Sequence, residues 1–243
     1  MESIESATAA ERGGASSVEL CSSLIEGGVT PSPDLIGLVR KKLSIGLYVI
    51  IRPRGGDFCY TSEEFDVMQR DVLAAKKLGV DGVVLGILLS EGTVDVQRTR
   101  HLVDLARPLR VTYHRAFDVS VDPIGSLEDV ARTGAERILT SGGAENSIAG
   151  ARTLRQLVDV AGEQVIIMAG GGINPQNVRT LIDETGVREV HASLKSSMES
   201  PMRHKNEKIS MGSLEGREYQ RFTVLEDQVR QLVRAASASG ESS

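Results

Sequence analysis

The chain has 243 residues, 40% hydrophobic and 3% aromatic with no Trp, and a net charge of −5 from 28 basic and 33 acidic side chains. That length suits one large α/β unit with an aliphatic core, and the acidic balance gives no field that would gather nucleic acid. No apolar run approaches the ~20 residues of a membrane span, no signal peptide is visible, and the two cysteines make no disulfide framework. A cytoplasmic protein without membrane or nucleic-acid partners is expected.

Residues 2–13 read as a helix, with Ile4, Ala7 and Ala10 at helical spacing and Gly13-Gly14 as the stop. Ser17 to Cys21 is a strand, followed by a loop from Ser22 to Thr30 that holds Glu26-Gly27-Gly28. Ser32-Pro33 opens a helix to about Lys42. Leu47 to Ile51 is a continuous apolar run, as a parallel strand covered on both faces requires. The loop Arg52-Pro53-Arg54-Gly55-Gly56-Asp57-Phe58 comes next, and Thr61 to Glu64 is a capping box for a helix with Phe65, Met68, Val72, Ala75 and Leu78 on one face.

The alternation continues. Gly82 to Leu85 is a strand, 95–106 a helix, Arg110 to Tyr113 a strand, and Pro123 to Thr133 a helix capped by Asp122. Arg137 to Thr140 is a strand, with a helix near 147–160. Val165 to Met168 is a strand before Gly170-Gly171-Gly172, and Asn174-Pro175 starts a helix ending at Gly186. Glu189 to His191 is the last strand. Residues 194–218 look irregular, Thr223 to Glu226 reads as a second capping box, and a C-terminal helix spans about 224–236. Residues 237–243 read as a disordered tail.

Strands alternating with helices imply a parallel sheet. A repeat of helix end, glycine, small residue, polar residue and strand recurs at Gly14, Gly79, Gly134 and Gly186. These glycines lie about two βα units apart, and four pairs give the eight units of a (β/α)8 TIM-type barrel. Only seven barrel strands are legible, so the expectation is a single barrel domain over 1–236 that lacks its first strand, the chain having been cut at its N-terminus. The two facing edges then need another segment, water or a second copy in a homo-oligomer.

Barrel chemistry sits at the carboxyl ends of the strands, and three groups of residues fall there. For a small anion, the Gly170-Gly171-Gly172 loop and His191 with Ser193 follow the last two strands, where backbone N–H groups commonly meet phosphate. Arg52, Arg54, Thr140 and Ser141 add donors, although the glycines also suit plain tight turns and the arginines plain pairing with glutamates. For acid–base work, His114 is the leading residue, with Asp118 or Glu19 to orient it and Arg115 to stabilise developing charge; a strand-end histidine held by a neighbour is the simpler reading. For metal, Cys21 is the candidate ligand, since thiolate suits copper(I), but no CxxC or HExxH spacing exists and a small buried thiol explains it as well. Cys59, His114 and His191 lie near the same mouth, and Met198, Met202 and Met211 are either thioether ligands or packing residues. His101 and His204 read as surface residues.

Several of these stretches together resemble the CutC copper-homeostasis family: Ala10 to Gly14, Val18 to Cys21, Glu26 to Gly28, Arg52 to Phe58, His114 to Asp118, Leu139 to Gly142 and Gly170 to Gly172. The resemblance runs from about Ile4 to His191 and implies a TIM-type barrel, a cytoplasmic setting, a role in copper handling and Cu(I) at cysteines. The family pattern opens with a strand bearing a cysteine near the match of Cys21, and that strand has no counterpart here. Three readings therefore stand: a cytosolic copper-homeostasis protein binding Cu(I) through Cys21, an enzyme on a small phosphorylated or carboxylated metabolite, or a degenerate barrel serving as a scaffold.

Overall fold

The computed structural model describes residues 1–206, 208–209 and 218–238. Seven parallel strands form one sheet in strict chain order: β1 (Ser17–Leu20), β2 (Gly46–Ile50), β3 (Gly82–Leu85), β4 (Arg110–Tyr113), β5 (Arg137–Thr140), β6 (Ile166–Gly170) and β7 (Glu189–His191). Helix α1 (Ile4–Arg12) precedes the sheet. The crossovers are α2 (Pro33–Lys42), α3 (Ser62–Lys77), α4 (Val96–Ala106), α5 (Pro123–Thr133), α6 (Ala151–Ala161) and α7 (Val178–Thr185). The expected starts hold where a side chain can satisfy a free N–H. Ser32 and Asp122 cap α2 and α5, and Thr61 with Glu64 closes both bonds of the capping box on α3.

Register sorts the side chains into two faces. Val18, Leu47, Val83, Val111, Ile138 and Ile167 occupy one face and join the helices in the aliphatic core. The alternate positions put Glu19, Tyr48, Thr112, Arg137, Met168 and Glu189 on the other face, where all six line a single cavity of about 970 Å³. At its centre Arg137 donates to Thr112 Oγ1 at 3.2 Å and to Glu189 Oε1 at 3.1 Å, and its guanidinium lies 5.3 Å from the Tyr48 ring centre. A cation with only 8% of its surface exposed is tolerable here because a carboxylate, a hydroxyl and a π face surround it.

The helices pack side by side in chain order, and the last one, α8 (Glu226–Ser237), lies against both α7 and α1. The ring of helices thus closes, while among the described residues β1 and β7 do not pair. Met1 stands at the upper end of this seam. Its nitrogen lies 2.7 Å from the Glu19 carbonyl, and its own carbonyl accepts from the Cys21 N–H at 2.9 Å.

Two expectations need correction. The stretch after β7 is not irregular throughout: β8 (Lys195–Glu199) pairs antiparallel with β9 (Gln220–Val224). Four of the five β8 residues are exposed, so there is no apolar period to read. Thr223 belongs to β9 rather than to a capping box, and Leu225 caps α8 without a side-chain bond. The Ser6 hydroxyl instead accepts from Val224 N–H at 3.2 Å, tying the hairpin to α1. Ser237 ends α8, whereas residues 239–243 of the expected tail, together with Met211, lie outside the described residues.

Gly82 is where the inner face is tightest. A Cβ there would come within 2.4 Å of the Tyr48 ring and 2.7 Å of the Arg110 carbonyl oxygen. Gly82→Ala is therefore expected to lower the unfolding free energy by about 1–3 kcal/mol, as overpacking does. Urea denaturation followed by circular dichroism reads this as a lower midpoint at unchanged slope.

Candidate functional site

The end of β4 lays out the mouth. Successive residues of an extended chain turn to opposite sides, and His114 (φ −82°, ψ −170°) and Arg115 go separate ways. His114 packs toward the loops after β2 and β3, whereas Arg115 reaches over those after β5 and β6.

On the His114 side, residues 52–60 fold over the imidazole. Phe58 lies 4.9 Å from the His114 ring and 5.0 Å from the Arg52 guanidinium. Arg52, 4% exposed, gives NH1 to the carbonyls of Glu26 (2.6 Å) and Gly28 (2.9 Å) and NH2 to that of Gly56 (2.7 Å). Arg54 is spent on its own loop and on the first turn of α3. It bonds Glu64 through Nε and reaches the carbonyls of Gly55, Asp57 and Cys59 as well as the Asp57 carboxylate. Six acceptors for five N–H groups leave Arg54 nothing to offer a ligand.

His114 itself is buried, and its Nδ1 accepts from the Ala116 N–H at 3.2 Å. Burial, helped by the nearby Arg52 charge, pushes its pKa from 6.5 down to about 3. Neither carboxylate expected to orient it does so, because Asp118 serves Arg115 and Glu19 faces His191 at 3.9 Å.

The Arg115 side brings together most of the expected anion residues. Asp118 accepts from Arg115 Nε (2.6 Å), from the Thr140 hydroxyl, and from the N–H groups of Ser141 (2.9 Å) and Gly143 (3.1 Å). Arg115 NH2 donates to Ser141 Oγ at 2.8 Å. NH1 lies against Gly171, 3.5 Å from where a Cβ would sit. The glycine has φ +111°, which side-chain-bearing residues rarely adopt. Ser147 donates its N–H to the Gly171 carbonyl at 2.9 Å and leaves its buried hydroxyl without a partner. Gly170 abuts His191, and Gly172 is wrapped by Asn146 and Asn177.

The remaining candidates line the seam cavity. Glu19, Cys21, His191 and Ser193 are all on its wall, and so is the Arg137–Glu189 pair, which the sequence reading passed over. Its signal was present: Arg137 and Glu189 are charged residues inside strands that should be covered on both faces. Cys59, Met198 and Met202 are exposed, and His101 bonds Gln69 at the surface.

A family model described as the CutC family matches residues 1–196. The chain belongs to the CutC family. It is 44% identical over 213 residues to the mouse copper homeostasis protein cutC homolog, covering 88% of this chain and 78% of that one. A family protein CutC from Chromobacterium violaceum is 46% identical over 230 residues, covering 95% and 93%. The crystal structure of a copper homeostasis protein CutC from Streptococcus agalactiae superposes with TM-score 0.74 at 35% identity, covering 79% of this chain and 94% of that one.

The copper in the CutC name can be held against the donors present. Among the described residues no group of three or more His, Cys, Asp or Glu side chains is arranged to hold a metal ion. Cys21 is 2% exposed, and burial pushes its thiol up, away from the thiolate that binds metal. No helix of the described residues is long and apolar enough to cross a membrane.

The depressed His114 pKa has a measurable consequence. A folded-state value of about 3 against an ordinary 6.5 means that the unfolded chain binds the extra proton between them. The stability from keeping His114 neutral is fully present above pH 6.5 and drains away as the pH falls toward 3. His114→Gln keeps a side-chain N–H and cannot titrate. Its urea midpoint is expected to fall less than that of the parent between about pH 7 and about pH 4.5.

Proposed function

We propose that this CutC-family chain binds and acts on a small phosphorylated or carboxylated metabolite at the carboxyl ends of its strands. One observation carries the reading. The Arg115 guanidinium is fixed on two sides by Asp118 and Ser141, and NH1 is left facing the backbone of Gly171. A guanidinium held this way meets an oxyanion without first losing its rotamer freedom. The missing Cβ at Gly171 leaves the space such an oxygen needs, and Asp118 keeps the cation aligned while its own oxygens are taken up by Thr140, Ser141 and Gly143.

The frame we infer is one (β/α)8 barrel unit over 1–236 with one strand position open. Among the described residues, eight α-helices in a closed ring around a seven-stranded sheet support it, as do the Met1 bonds to β1, which follow the pattern of a parallel ladder. The open edges suit a second copy of the chain, and the two unpaired thiols suit the cytoplasm.

Copper(I) enters as cargo rather than as part of the chemistry. The mouse relative, a copper homeostasis protein cutC homolog, supports this, and so does the place of Cys21 on the cavity wall, which His191 and Glu19 also line. One thiol makes a weak site, which is the affinity we expect.

Calorimetric titration with inorganic phosphate is the test. Arg115→Ala is expected to weaken binding by about tenfold or more, the worth of a charge-assisted hydrogen bond, and Gly171→Val to block it. Equal affinity in both variants would overturn the reading. Cys21→Ser is expected to leave phosphate binding intact and to lower Cu(I) affinity in an anaerobic competition with a chromogenic chelator.

A further inference from the structure

The opening between β1 and β7 has the chemistry of a strand position. In a parallel sheet, residues whose side chains share a face turn their backbone groups to the same side. Glu19, on the inner face, turns its carbonyl toward Met1 and so toward the gap. Glu189 shares that face and therefore turns its backbone toward β6. Its neighbours Arg188, Val190 and Ala192 are then turned toward the gap from the other side. Apart from Met1, nothing pairs with either edge among the described residues.

The cavity of about 970 Å³ follows this gap from Ser17 and Arg188 at the start of the strands to Cys21 and Ser193 at their ends. Its outer wall is aliphatic, made by Ala10 on α1 and by Val229, Leu232 and Val233 on α8. On the inner wall Arg137 is neutralised by Glu189, whereas Glu19 has no arginine or lysine paired with it among the described residues. The Glu19 and His191 side chains approach to 3.9 Å from opposite edges, which fits a gap one strand wide, roughly 10 Å between the edges. All of β7 is partly exposed, so solvent reaches its edge.

We propose that this gap takes up an extended segment of a partner polypeptide, running parallel to β1 and β7. A lysine of the segment turns inward beside Glu19, and aliphatic side chains turn outward onto α1 and α8. Met1 shows the direction, since its two bonds to β1 are those of a parallel ladder, and the segment takes over its rung. Two bare edges give the segment backbone bonds on both sides, where an ordinary sheet edge gives them on one. Alternation of side chains then fixes which residues meet the charged wall and which the aliphatic one, and the lysine beside Glu19 is an opposite-charge neighbour across strands. Helices α1 and α8 pack together over the gap, so a second copy, too, could reach these edges only with an extended segment. The site does not use Arg115 and does not rest on the function proposed there.

The probe is the blocked pentapeptide acetyl-Ser-Val-Lys-Val-Ser-amide, which sets Val outward and Lys inward. The full chain labelled with ¹⁵N is titrated with it, and backbone amides are followed by proton–nitrogen correlation. Saturable shifts and slowed hydrogen exchange are expected at Ser17 and Glu19 on one edge and at Val190 and Ala192 on the other. Acetyl-Val-Ser-Lys-Ser-Val-amide has the same composition with its two faces exchanged, and is expected to bind about tenfold more weakly. Glu19→Gln is expected to weaken the first peptide about fivefold, and Arg115→Ala to leave it unchanged, so failure here is told apart from failure of the anion site. Absence of saturable shifts, shifts that miss the two edges, equal binding of the two peptides, or equal affinity in Glu19→Gln would each overturn the proposal. Slowed exchange at the same amides on concentrating the chain alone would also overturn it, by making the occupant a second copy.

Discussion

A closed ring of helices around a sheet whose end strands, among the described residues, do not pair is the constraint from which the rest follows. Strand edges left bare carry N–H and C=O groups that want partners. Here Met1 supplies bonds to the top of β1, and the β8–β9 hairpin, tied to α1, stands beside the opening. A sealed barrel interior would be filled by layers of branched side chains. This one holds an arginine, two glutamates and a tyrosine on the wall of a cavity of about 970 Å³. The seam and the polar lining belong together. Glu189 keeps 34% of its side chain exposed, so its desolvation cost is smaller than full burial would impose, and it still neutralises Arg137.

The sequence made the sheet legible because two of its periodicities agree. Apolar runs such as Leu47 to Ile51 mark strands covered on both sides, and the glycines at 14, 79, 134 and 186 mark the helix ends before alternate strands. The seven parallel strands of the sheet could be read by counting. The hairpin could not, since Lys195 to Glu199 is exposed on both faces and carries no pattern, and its partner contains the Thr223 that mimics a cap. At the site, residue types were readable but partners were not. Arg54 and Arg115 look alike in sequence; the first is surrounded by four acceptors of its own loop and the two Glu64 oxygens on α3, and the second keeps a free edge. That difference arises from how loops distant in sequence fold together, which no local spacing encodes.

His114 shows the same limit in another form. A histidine at a strand end invites a role in proton transfer, but that role needs a pKa near the working pH. Phe58 and the Arg52 charge remove it, and the Ala116 N–H occupies the nitrogen that would accept. What remains is a neutral ring with one fixed donor, a group that can polarise or hold an oxygen without exchanging a proton with it.

The chemistry of the mouth then separates by hardness. The rim offers guanidinium, hydroxyl and imidazole N–H, all donors toward oxygen, while the buried thiol of Cys21 stands apart on the seam wall with its proton held on by burial. Hard-anion donors gain most where they are fixed in advance, which describes the exposed Arg115 held between Asp118 and Ser141. A soft cation needs two or more deprotonated or neutral soft ligands converging on one point. Among the described residues the elements of this fold bring donors to a common point at the rim, and do not gather three or more His, Cys, Asp or Glu side chains around Cys21. On the proposed reading, therefore, the features that distinguish this barrel from a plain scaffold are selective for oxygen, and copper meets the protein at its least prepared group.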